Sequence, residues 1–357
     1  MFLGEGARRR NAEVAKKRQS VLSARPCRCG PAERAPVGPT KGDRLKPQVL
    51  VAGRLMPHVM AEIEEKYTAH KLYEAADREA FLREIGPKVR AIATSTFYGA
   101  PPDLIDACPN LELVASFGVG TDSLAVEHAR RRGVKVTNTP DVLNDDVANL
   151  AILLLLAATR KLVAYDRYVR KGRWVRQGEP PLTRGVAGRR IGIVGMGRIG
   201  RAIAEKLIPF HCDIAYFARN RRPDLPHRYY SDLEEMARDS VALIVIVPGG
   251  KQTEKLIDRR ILDALGPEGI LINVARGSVV DEPALVEALQ EGRLGGAALD
   301  VFVDEPNVPE ALFGMENVIL QPHQGSATVE TRRAMGDLVL ANLAAHFDGR
   351  PLPSPLF

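Results

Sequence analysis

The stretch Arg190-Ile-Gly-Ile-Val-Gly-Met-Gly-Arg-Ile-Gly200 decides the fold of this chain. Its apolar half predicts a short buried parallel strand, and the residues after Gly200 have the apolar spacing of a helix. The glycines between them give a tight turn, close approach to a pyrophosphate and close packing of helix on strand. A glycine-rich turn can be purely structural, but the strand before it and the helix after it favour a dinucleotide site. We assign this part of the predicted site to Gly195, Gly197, Arg198, Ile199 and Gly200.

Apolar strands alternate with helices on both sides of this stretch. Such alternation predicts parallel sheets with helices on both faces. We predict an α/β fold of two doubly wound domains, with a Rossmann dinucleotide-binding domain (residues 143–324) inserted in a flavodoxin-like substrate domain (residues 46–142 and 325–357). One long helix is expected from Val147 to about Tyr168. It is apolar nearly all round at first, so it should be buried in a core or against another subunit.

The positive charge of the chain is confined to its first 45 residues. These hold eleven Lys/Arg and four Asp/Glu, a net charge of +7, whereas the other 312 residues hold 39 and 40, a net charge of −1. The body therefore gives no electrostatic reason to expect a nucleic-acid partner. Residues 1–45 lack a sustained apolar period and are predicted to form a basic disordered tail. A transit peptide is the alternative, since the tail is rich in arginine and poor in acids.

Cysteine usage and hydropathy exclude further classes of protein. Cys27 and Cys29 lie in the tail, and Cys108 and Cys212 are isolated, which indicates neither a disulfide framework nor a CxxC metal site. The longest apolar run, Leu150–Ala158, is nine residues long and too short to span a bilayer. No signal-peptide pattern opens the chain. We therefore expect a cytoplasmic protein with no membrane partner and no metal ion.

The nucleotide is predicted from the end of the second strand of the dinucleotide domain. NAD-type sites carry an acidic residue there for the ribose 2′-hydroxyl. Here the residues are Arg219-Asn-Arg-Arg222 and no acid is present. Arginine pairs with phosphate through two parallel hydrogen bonds and stays charged. We predict a preference for NADP(H), with the 2′-phosphate held by Arg219, Asn220 and either Arg221 or Arg222, and NAD(H) as the alternative cofactor. Solvated loop charges would be the structural alternative.

Three later stretches place ionisable groups just after strands, where open α/β sheets bind ligands. Arg276 follows one strand, Glu305 lies in the loop after the next, and His323 follows the last. Each has a structural alternative when taken singly, as a salt-bridged arginine, a capping glutamate or a hydrogen-bonded core histidine. The predicted cofactor site also includes residues at or just after strand ends. Val247 and Pro248 end the strand that precedes these three stretches, and the stretches themselves contribute Ala275, Arg276, Asp300 and His323.

Taken together, these motifs resemble the D-isomer-specific 2-hydroxyacid dehydrogenases, in particular their glyoxylate/hydroxypyruvate reductase branch. The resemblance covers about residues 48–357. It depends on the ordered motifs Asn138-Thr-Pro140, Gly195-Met-Gly-Arg-Ile-Gly200, Ala275-Arg-Gly277, Asp300-Val-Phe302, Glu305-Pro306 and Pro322-His323. Two positions depart from the pattern: Asn149 stands where many relatives carry Glu, and Gln324 where small or apolar residues are common.

The resemblance implies Arg276, Glu305 and His323 as catalytic residues, and their chemistry suits that role. Histidine donates a proton readily near neutral pH, a neighbouring carboxylate favours its charged form, and arginine binds a carboxylate and polarises a carbonyl. It also implies Asp300 at the nicotinamide carboxamide. Substrate is expected on the Val119 and Gly120 amides, Arg276 and His323, although Ser116-Phe-Gly118-Val-Gly120 alone could be only a tight turn.

The function implied is NADPH-dependent reduction of the small 2-oxo acids glyoxylate and hydroxypyruvate to D-2-hydroxy acids. A homodimer is expected, in which Trp174 reaches the partner's site or, as the alternative, simply packs. Larger 2-oxo acids, such as 2-ketogluconate or hydroxyphenylpyruvate, are the alternative substrates. The alternative class is a nucleotide-sensing binding protein like the corepressors that share this fold.

Overall fold

The computed structural model describes residues 46–357, which contain two wholly parallel β-sheets; the predicted tail lies outside the described residues. The first sheet has the strand order β2-β1-β3-β4-β5, the flavodoxin-like order. Its strands are β1 (Gln48–Val51), β2 (Thr68–Lys71), β3 (Ala91–Ser95), β4 (Leu113–Phe117) and β5 (Lys135–Thr137). Its helices are α1 (Pro57–Lys66), α2 (Arg78–Ile85), α3 (Pro102–Asp106) and α4 (Val126–Arg131).

Three further helices follow the first sheet along the chain, α5 (Asn144–Thr159), α6 (Leu162–Arg170) and α7 (Arg173–Gln177). The prediction of one continuous helix from Val147 to Tyr168 is therefore wrong. The chain breaks at Lys161, whose φ of 51° is left-handed, and the axes of α5 and α6 differ by 57°. Helix α5 packs against the second sheet and buries seven residues, whereas α6 buries none. Within residues 46–357 no single helix is long and apolar enough to cross a membrane; only the bent pair α5–α6 passes by length and composition together.

The second sheet begins with the opening stretch and has seven strands. They are β6 (Arg190–Val194), β7 (Asp213–Phe217), β8 (Arg228–Tyr230), β9 (Ala242–Val245), β10 (Ile270–Asn273), β11 (Gly296–Leu299) and β12 (Val318–Leu320). Its order is β12-β11-β10-β9-β6-β7-β8. After β6 the strands are added on one side as far as β8, and from β9 onward they are added on the other side. Doubly wound sheets bind dinucleotides at this switch point between β6 and β9. Its helices are α8 (Arg198–Leu207), α9 (Leu233–Asp239), α10 (Arg259–Leu265) and α11 (Glu282–Gln290). The predicted fold class is confirmed.

The last helix, α12 (Val329–Phe347), packs against α1 and β4 and so lies on the first sheet. Its first turn is tied to α5, because both Thr328 and Thr331 donate hydroxyl hydrogen bonds to Asp146, at 2.5 and 2.6 Å. One apolar cluster joins the two sheets and includes Leu113 of β4 and Ile193 of β6. Apolar packing and this threonine–aspartate contact therefore hold the two sheets together. The domain boundaries at residues 142/143 and 324/325 stay a prediction.

Candidate functional site

The glycine turn between β6 and α8 has the geometry that close backbone packing requires. Gly195 has a φ of 108°, and a Cβ added there would lie 2.7 Å from the Ile246 carbonyl oxygen. A Cβ on Gly200 would lie 2.1 Å from the Gly195 carbonyl oxygen, so neither position accepts a side chain. At Gly197, by contrast, no atom of the described residues lies within 4 Å of an added Cβ. This open space at the N-terminus of α8 fits a pyrophosphate group.

The other residues predicted beside this turn lie close to it. Arg198 and Ile199 open α8, and the Arg198 Nε lies 3.2 Å from the Asp141 carboxylate on the surface. Val247 follows β9, and its Cγ1 would be 2.9 Å from a Cβ on Gly195. Pro248 comes next, and its carbonyl accepts the Thr253 hydroxyl at 2.6 Å. The structure therefore brings the ends of β6 and β9 together at one edge of the sheet.

The arginines after β7 lie on an exposed loop that is tied to the sheet at several points. Tyr216 of β7 is fully buried, and its hydroxyl accepts the Arg222 N–H at 2.8 Å and lies 3.3 Å from the Arg222 carbonyl. Farther along the loop, Asp224 pairs with Arg201 of α8 at 2.5 Å. The loop is thus ordered by protein contacts alone.

The cationic groups of this loop are not neutralised by acids of the described residues. Arg219, Asn220, Arg221 and Arg222 are all exposed, and within residues 46–357 none of the three arginines forms an ion pair. Arg219 donates only a long hydrogen bond, 3.4 Å, to the Gln252 amide oxygen. Three guanidinium groups without an ion-pair partner among the described residues therefore lie where the sequence predicts a 2′-phosphate.

His323 and Glu305 form the most direct catalytic contact that the sequence predicts. The His323 Nδ1 lies 2.7 Å from the Glu305 Oε2, and the Phe302 N–H donates to the other carboxylate oxygen at 3.1 Å. Burial of Glu305 opposes its ionisation, but the contacts with His323, the Phe302 N–H and the charge of Arg276 together outweigh burial and lower the pKa of Glu305. With a carboxylate at Nδ1, that nitrogen carries a proton, and the Nε2 of the partly exposed His323 has no hydrogen-bond partner among the described residues. His323 also has a left-handed φ of 54°, a strained backbone of the kind found at functional sites.

Asp300 orders the loop that carries His323. Its two carboxylate oxygens accept the N–H groups of Gln324 at 2.5 Å and Gly325 at 2.9 Å, and its carbonyl accepts the His323 N–H. Asp300 is almost wholly buried, and burial raises its pKa. The sequence predicted this carboxylate at the nicotinamide; the structure adds that it anchors the histidine loop. The departing residue Gln324 turns its own side chain back onto the Pro322 carbonyl.

Arg276 extends from the end of β10 towards the first sheet. Its Nε lies 3.3 Å from both oxygens of Asp122, which follows β4, and its Nη1 donates to the Ala275 carbonyl at 2.7 Å. A Cβ on Gly120 would lie 1.8 Å from the Arg276 Nη2, so the guanidinium packs directly on the backbone of that loop. The predicted arginine and the predicted substrate loop are therefore in contact.

The loop Gly118–Gly120 contains two backbone N–H groups next to Arg276. The Val119 carbonyl accepts the Asn138 side chain at 2.9 Å, and Thr139 exchanges hydrogen bonds with the backbone of Gly118. Within the described part of the chain, the N–H groups of Val119 and Gly120 have no hydrogen-bond partner. The motif Asn138-Thr-Pro140 thus holds a pair of free donors beside Arg276, an arrangement suited to a carboxylate.

Sequence reasoning missed two residues of this site. Asp122, the partner of Arg276, lies 154 positions away in the sequence, and no local spacing connects the two. Asn273 ends β10 fully buried and bonds both the Ala275 N–H and the Arg276 carbonyl, which fixes the arginine turn. A polar residue closing an apolar strand was the signal for Asn273. Residues 46–357 contain no group of three His, Cys, Asp or Glu side chains that could hold a metal ion.

Two further residues singled out in the sequence lie away from the predicted catalytic groups. Trp174 is on α7, with 56% of its surface exposed. Asn149 is exposed on α5, three residues after Asp146, whose carboxylate accepts the hydroxyl hydrogen bonds of Thr328 and Thr331.

Comparison with known proteins relates this geometry to a family. Residues 152–325 match the model of the D-isomer specific 2-hydroxyacid dehydrogenase NAD-binding domain. The chain is 47% identical over 308 residues to the hydroxyphenylpyruvate reductase of Plectranthus scutellarioides, covering 86% of this chain and 98% of that protein. Identity and coverage are the same for a glyoxylate/hydroxypyruvate reductase of Arabidopsis thaliana.

A solved structure resembles the whole described chain. The NADPH-dependent glyoxylate/hydroxypyruvate reductase of Sinorhizobium meliloti, in complex with NADP and malonate, has a TM-score of 0.82 and 47% identity. The alignment covers 87% of this chain and 97% of that one. With the glycine turn and the Arg–Glu–His cluster in place, the chain belongs to the D-isomer specific 2-hydroxyacid dehydrogenases, as an NAD(P)-dependent enzyme of the glyoxylate/hydroxypyruvate reductase type.

Proposed function

We propose that this enzyme reduces glyoxylate and hydroxypyruvate to D-2-hydroxy acids and uses NADPH in preference to NADH. One observation carries the proposal: the His323–Glu305 pair and Arg276 lie at the same sheet edge as the glycine turn, and the Arg276 guanidinium packs on the backbone of Gly120. A proton donor, an anion-binding group and a dinucleotide site are what reduction of a 2-oxo acid requires.

Substrate binding is assigned to the loop after β4 and to Arg276. The Val119 and Gly120 amides would donate hydrogen bonds to the substrate carboxylate, and the Nη2 of Arg276, which packs on Gly120, would donate to it from the other side. Asp122 and the Ala275 carbonyl occupy the Nε and one Nη1 hydrogen of Arg276, so the guanidinium is fixed before substrate arrives. Preorganised donors of this kind also stabilise the charge that develops on the carbonyl oxygen.

Proton transfer is assigned to the Nε2 of His323. The Glu305 carboxylate accepts the Nδ1 hydrogen of His323 and so orients the imidazole, and the lowered pKa of Glu305 keeps this carboxylate ionised at neutral pH. A bound nicotinamide supplies the hydride that reaches the carbonyl carbon. If purified His323→Ala protein reduced glyoxylate as fast as the parent enzyme, this assignment would be wrong.

The preference for NADPH is argued from the loop after β7. Three exposed arginines without an acidic partner among the described residues suit a phosphate dianion, and no acid is present for a free ribose hydroxyl. We expect Arg219→Asp to lower kcat/KM with NADPH and to reduce or reverse the NADPH/NADH ratio. An unchanged ratio would refute the role of the loop. Initial rates for a panel of 2-oxo acids with each cofactor test substrate and cofactor together.

A second candidate substrate class, aromatic 2-oxo acids such as hydroxyphenylpyruvate, is favoured by the loop after β3. Phe97 and Tyr98 are exposed, their rings 5.2 Å apart and edge-to-face. The Thr96 carbonyl accepts the Ser123 hydroxyl at 2.7 Å, which joins this loop to the one after β4. An aromatic surface therefore borders the proposed carboxylate site. A higher kcat/KM for hydroxyphenylpyruvate than for hydroxypyruvate would favour this class.

We also propose a homodimer built on α5–α7 and the segment after them. Large apolar side chains project into solvent there, at Leu153, Leu162, Val169, Trp174, Val175 and Leu182. Val175 and Leu182 are 94% and 95% exposed, and exposed apolar patches mark protein–protein interaction sites. Light scattering during gel filtration would give the mass in solution, and a monomer across micromolar concentrations would refute the dimer.

A further inference from the structure

Arg332, in the first turn of α12, carries a charged group that the proposed reaction leaves unused. Its guanidinium is half-buried, and burial lowers the pKa of Arg332. Among the described residues it has no hydrogen-bond acceptor and no ion-pair partner; the carboxylate of Asp300 acts on it only through space. Burying an arginine without a partner costs free energy, so we expect the Arg332 guanidinium to bind a ligand.

One contact and one electrostatic interaction locate Arg332. Its guanidinium carbon lies 5.6 Å from the centre of the Phe117 ring, and Phe117 directly precedes the Gly118–Gly120 loop. The electrostatic interaction is with Asp300, which binds the backbone of the loop that carries His323. Arg332 therefore packs on the strand end that precedes the proposed carboxylate site and lies within electrostatic reach of the aspartate that anchors the loop of the proposed proton donor. The ring face of Phe117 supports the cation without using any of its N–H donors.

One substituent of the substrate remains available to the N–H donors of Arg332. Its carboxylate is assigned to the Val119 and Gly120 amides and Arg276, and its carbonyl oxygen to Arg276 and His323. The remaining substituent on the carbonyl carbon is a hydrogen in glyoxylate, a methyl group in pyruvate and a hydroxymethyl group in hydroxypyruvate. Only the last of these offers an acceptor to a guanidinium.

We propose that Arg332 is a substrate-binding residue that donates a hydrogen bond to an oxygen on the third carbon of the 2-oxo acid. The site would then select substrates with an oxygenated third carbon over those with a plain alkyl group. This inference rests on the proposed function, because it needs the carboxylate on the Gly118–Gly120 loop. It goes beyond that function by assigning the specificity for hydroxypyruvate over pyruvate to one side chain.

The test compares three substrates in two variants of the full-length enzyme with NADPH. Arg332→Met removes the donors and keeps much of the side-chain length. Arg333→Met is the matched control, since it removes the same charge from the next, exposed position of α12. We expect Arg332→Met to lower kcat/KM for hydroxypyruvate by about 10-fold to 100-fold, the range for a charge-assisted hydrogen bond. Glyoxylate and pyruvate should change by less than about threefold, and Arg333→Met should change none of the three.

The outcomes separate this inference from the proposed function. Equal losses for all three substrates, or an unchanged preference for hydroxypyruvate, would overturn the role of Arg332. If the parent enzyme reduced neither glyoxylate nor hydroxypyruvate, the proposed function itself would fail. Arg332→Lys guards against misfolding of the methionine variant: it keeps the charge and should retain part of the hydroxypyruvate preference. If the Lys and Met variants melt like the parent and lose the preference for hydroxypyruvate equally, the result would still support the proposed role of Arg332, because lysine lacks the planar set of donors of a guanidinium.

Discussion

Replacing Tyr216 by Phe should weaken NADPH binding while leaving NADH binding almost unchanged. The hydroxyl of this fully buried tyrosine holds the backbone of Arg222, with contacts of 2.8 Å to the N–H and 3.3 Å to the carbonyl. The substitution leaves the ring in place and creates no cavity of consequence. Because Arg222 is exposed, water can satisfy its freed N–H, so we expect a loss of only about 1 kcal/mol in the free energy of unfolding.

The effect on the cofactor follows from loss of order in the arginine loop. A charge-assisted hydrogen bond contributes about 1.5–3 kcal/mol, and solvent reduces this value for an exposed group. If the less ordered loop loses part of one such bond, the free energy of NADPH binding falls by about 0.7–1.4 kcal/mol, and the KM for NADPH should rise by about 3-fold to 10-fold. The KM for NADH should stay within about twofold, because NADH has no 2′-phosphate for the loop to bind.

Initial rates with varied NADPH and NADH, at saturating 2-oxo acid, measure both KM values. Tyr230→Phe is the control: this tyrosine lies buried in the neighbouring strand β8, and its hydroxyl bonds Asp239 at 2.5 Å and not the arginine loop. The reasoning is refuted if Tyr216→Phe leaves both KM values unchanged or raises them by the same factor.

Three further predictions follow from the site and the exposed apolar surface. Asp300→Asn should lower the free energy of unfolding by about 1–3 kcal/mol in denaturant titrations, and kcat with it, because an amide accepts only one of the two N–H groups and leaves the other unpaired. Glu305→Gln should cost stability above the usual glutamate pKa of 4.5; since the pKa of Glu305 is lowered in the fold, the difference from the parent should shrink as the pH falls below that value, and a constant difference would contradict the pairing. Val175→Glu combined with Leu182→Glu should shift the protein towards monomer in gel filtration with light scattering, and an unchanged mass would argue against this surface as the interface.

Much of the fold was predictable because its signals are local. The buried strands β6, β9 and β10 are apolar runs, and the glycine spacing between β6 and α8 allows few other turns. Strands β2 and β8 carry no such signal, because they lie at the sheet edges and have polar sequences, Thr68-Ala-His-Lys71 and Arg228-Tyr-Tyr230. The break at Lys161 was missed because neither glycine nor proline marks it.

The sequence by itself determined the dinucleotide turn, the arginine loop after β7 and the positions of Arg276, Glu305 and His323 after parallel strands. Parallel topology brings strand ends to one edge, so chain order was enough to predict that these groups meet. Only the tertiary structure decided that Arg276 is held by Asp122 of the other sheet. It likewise decided that Arg332 lies without a partner among the described residues, packed on Phe117 and within electrostatic reach of Asp300. Such contacts depend on how the two sheets pack, and residue spacing along the chain does not encode that packing.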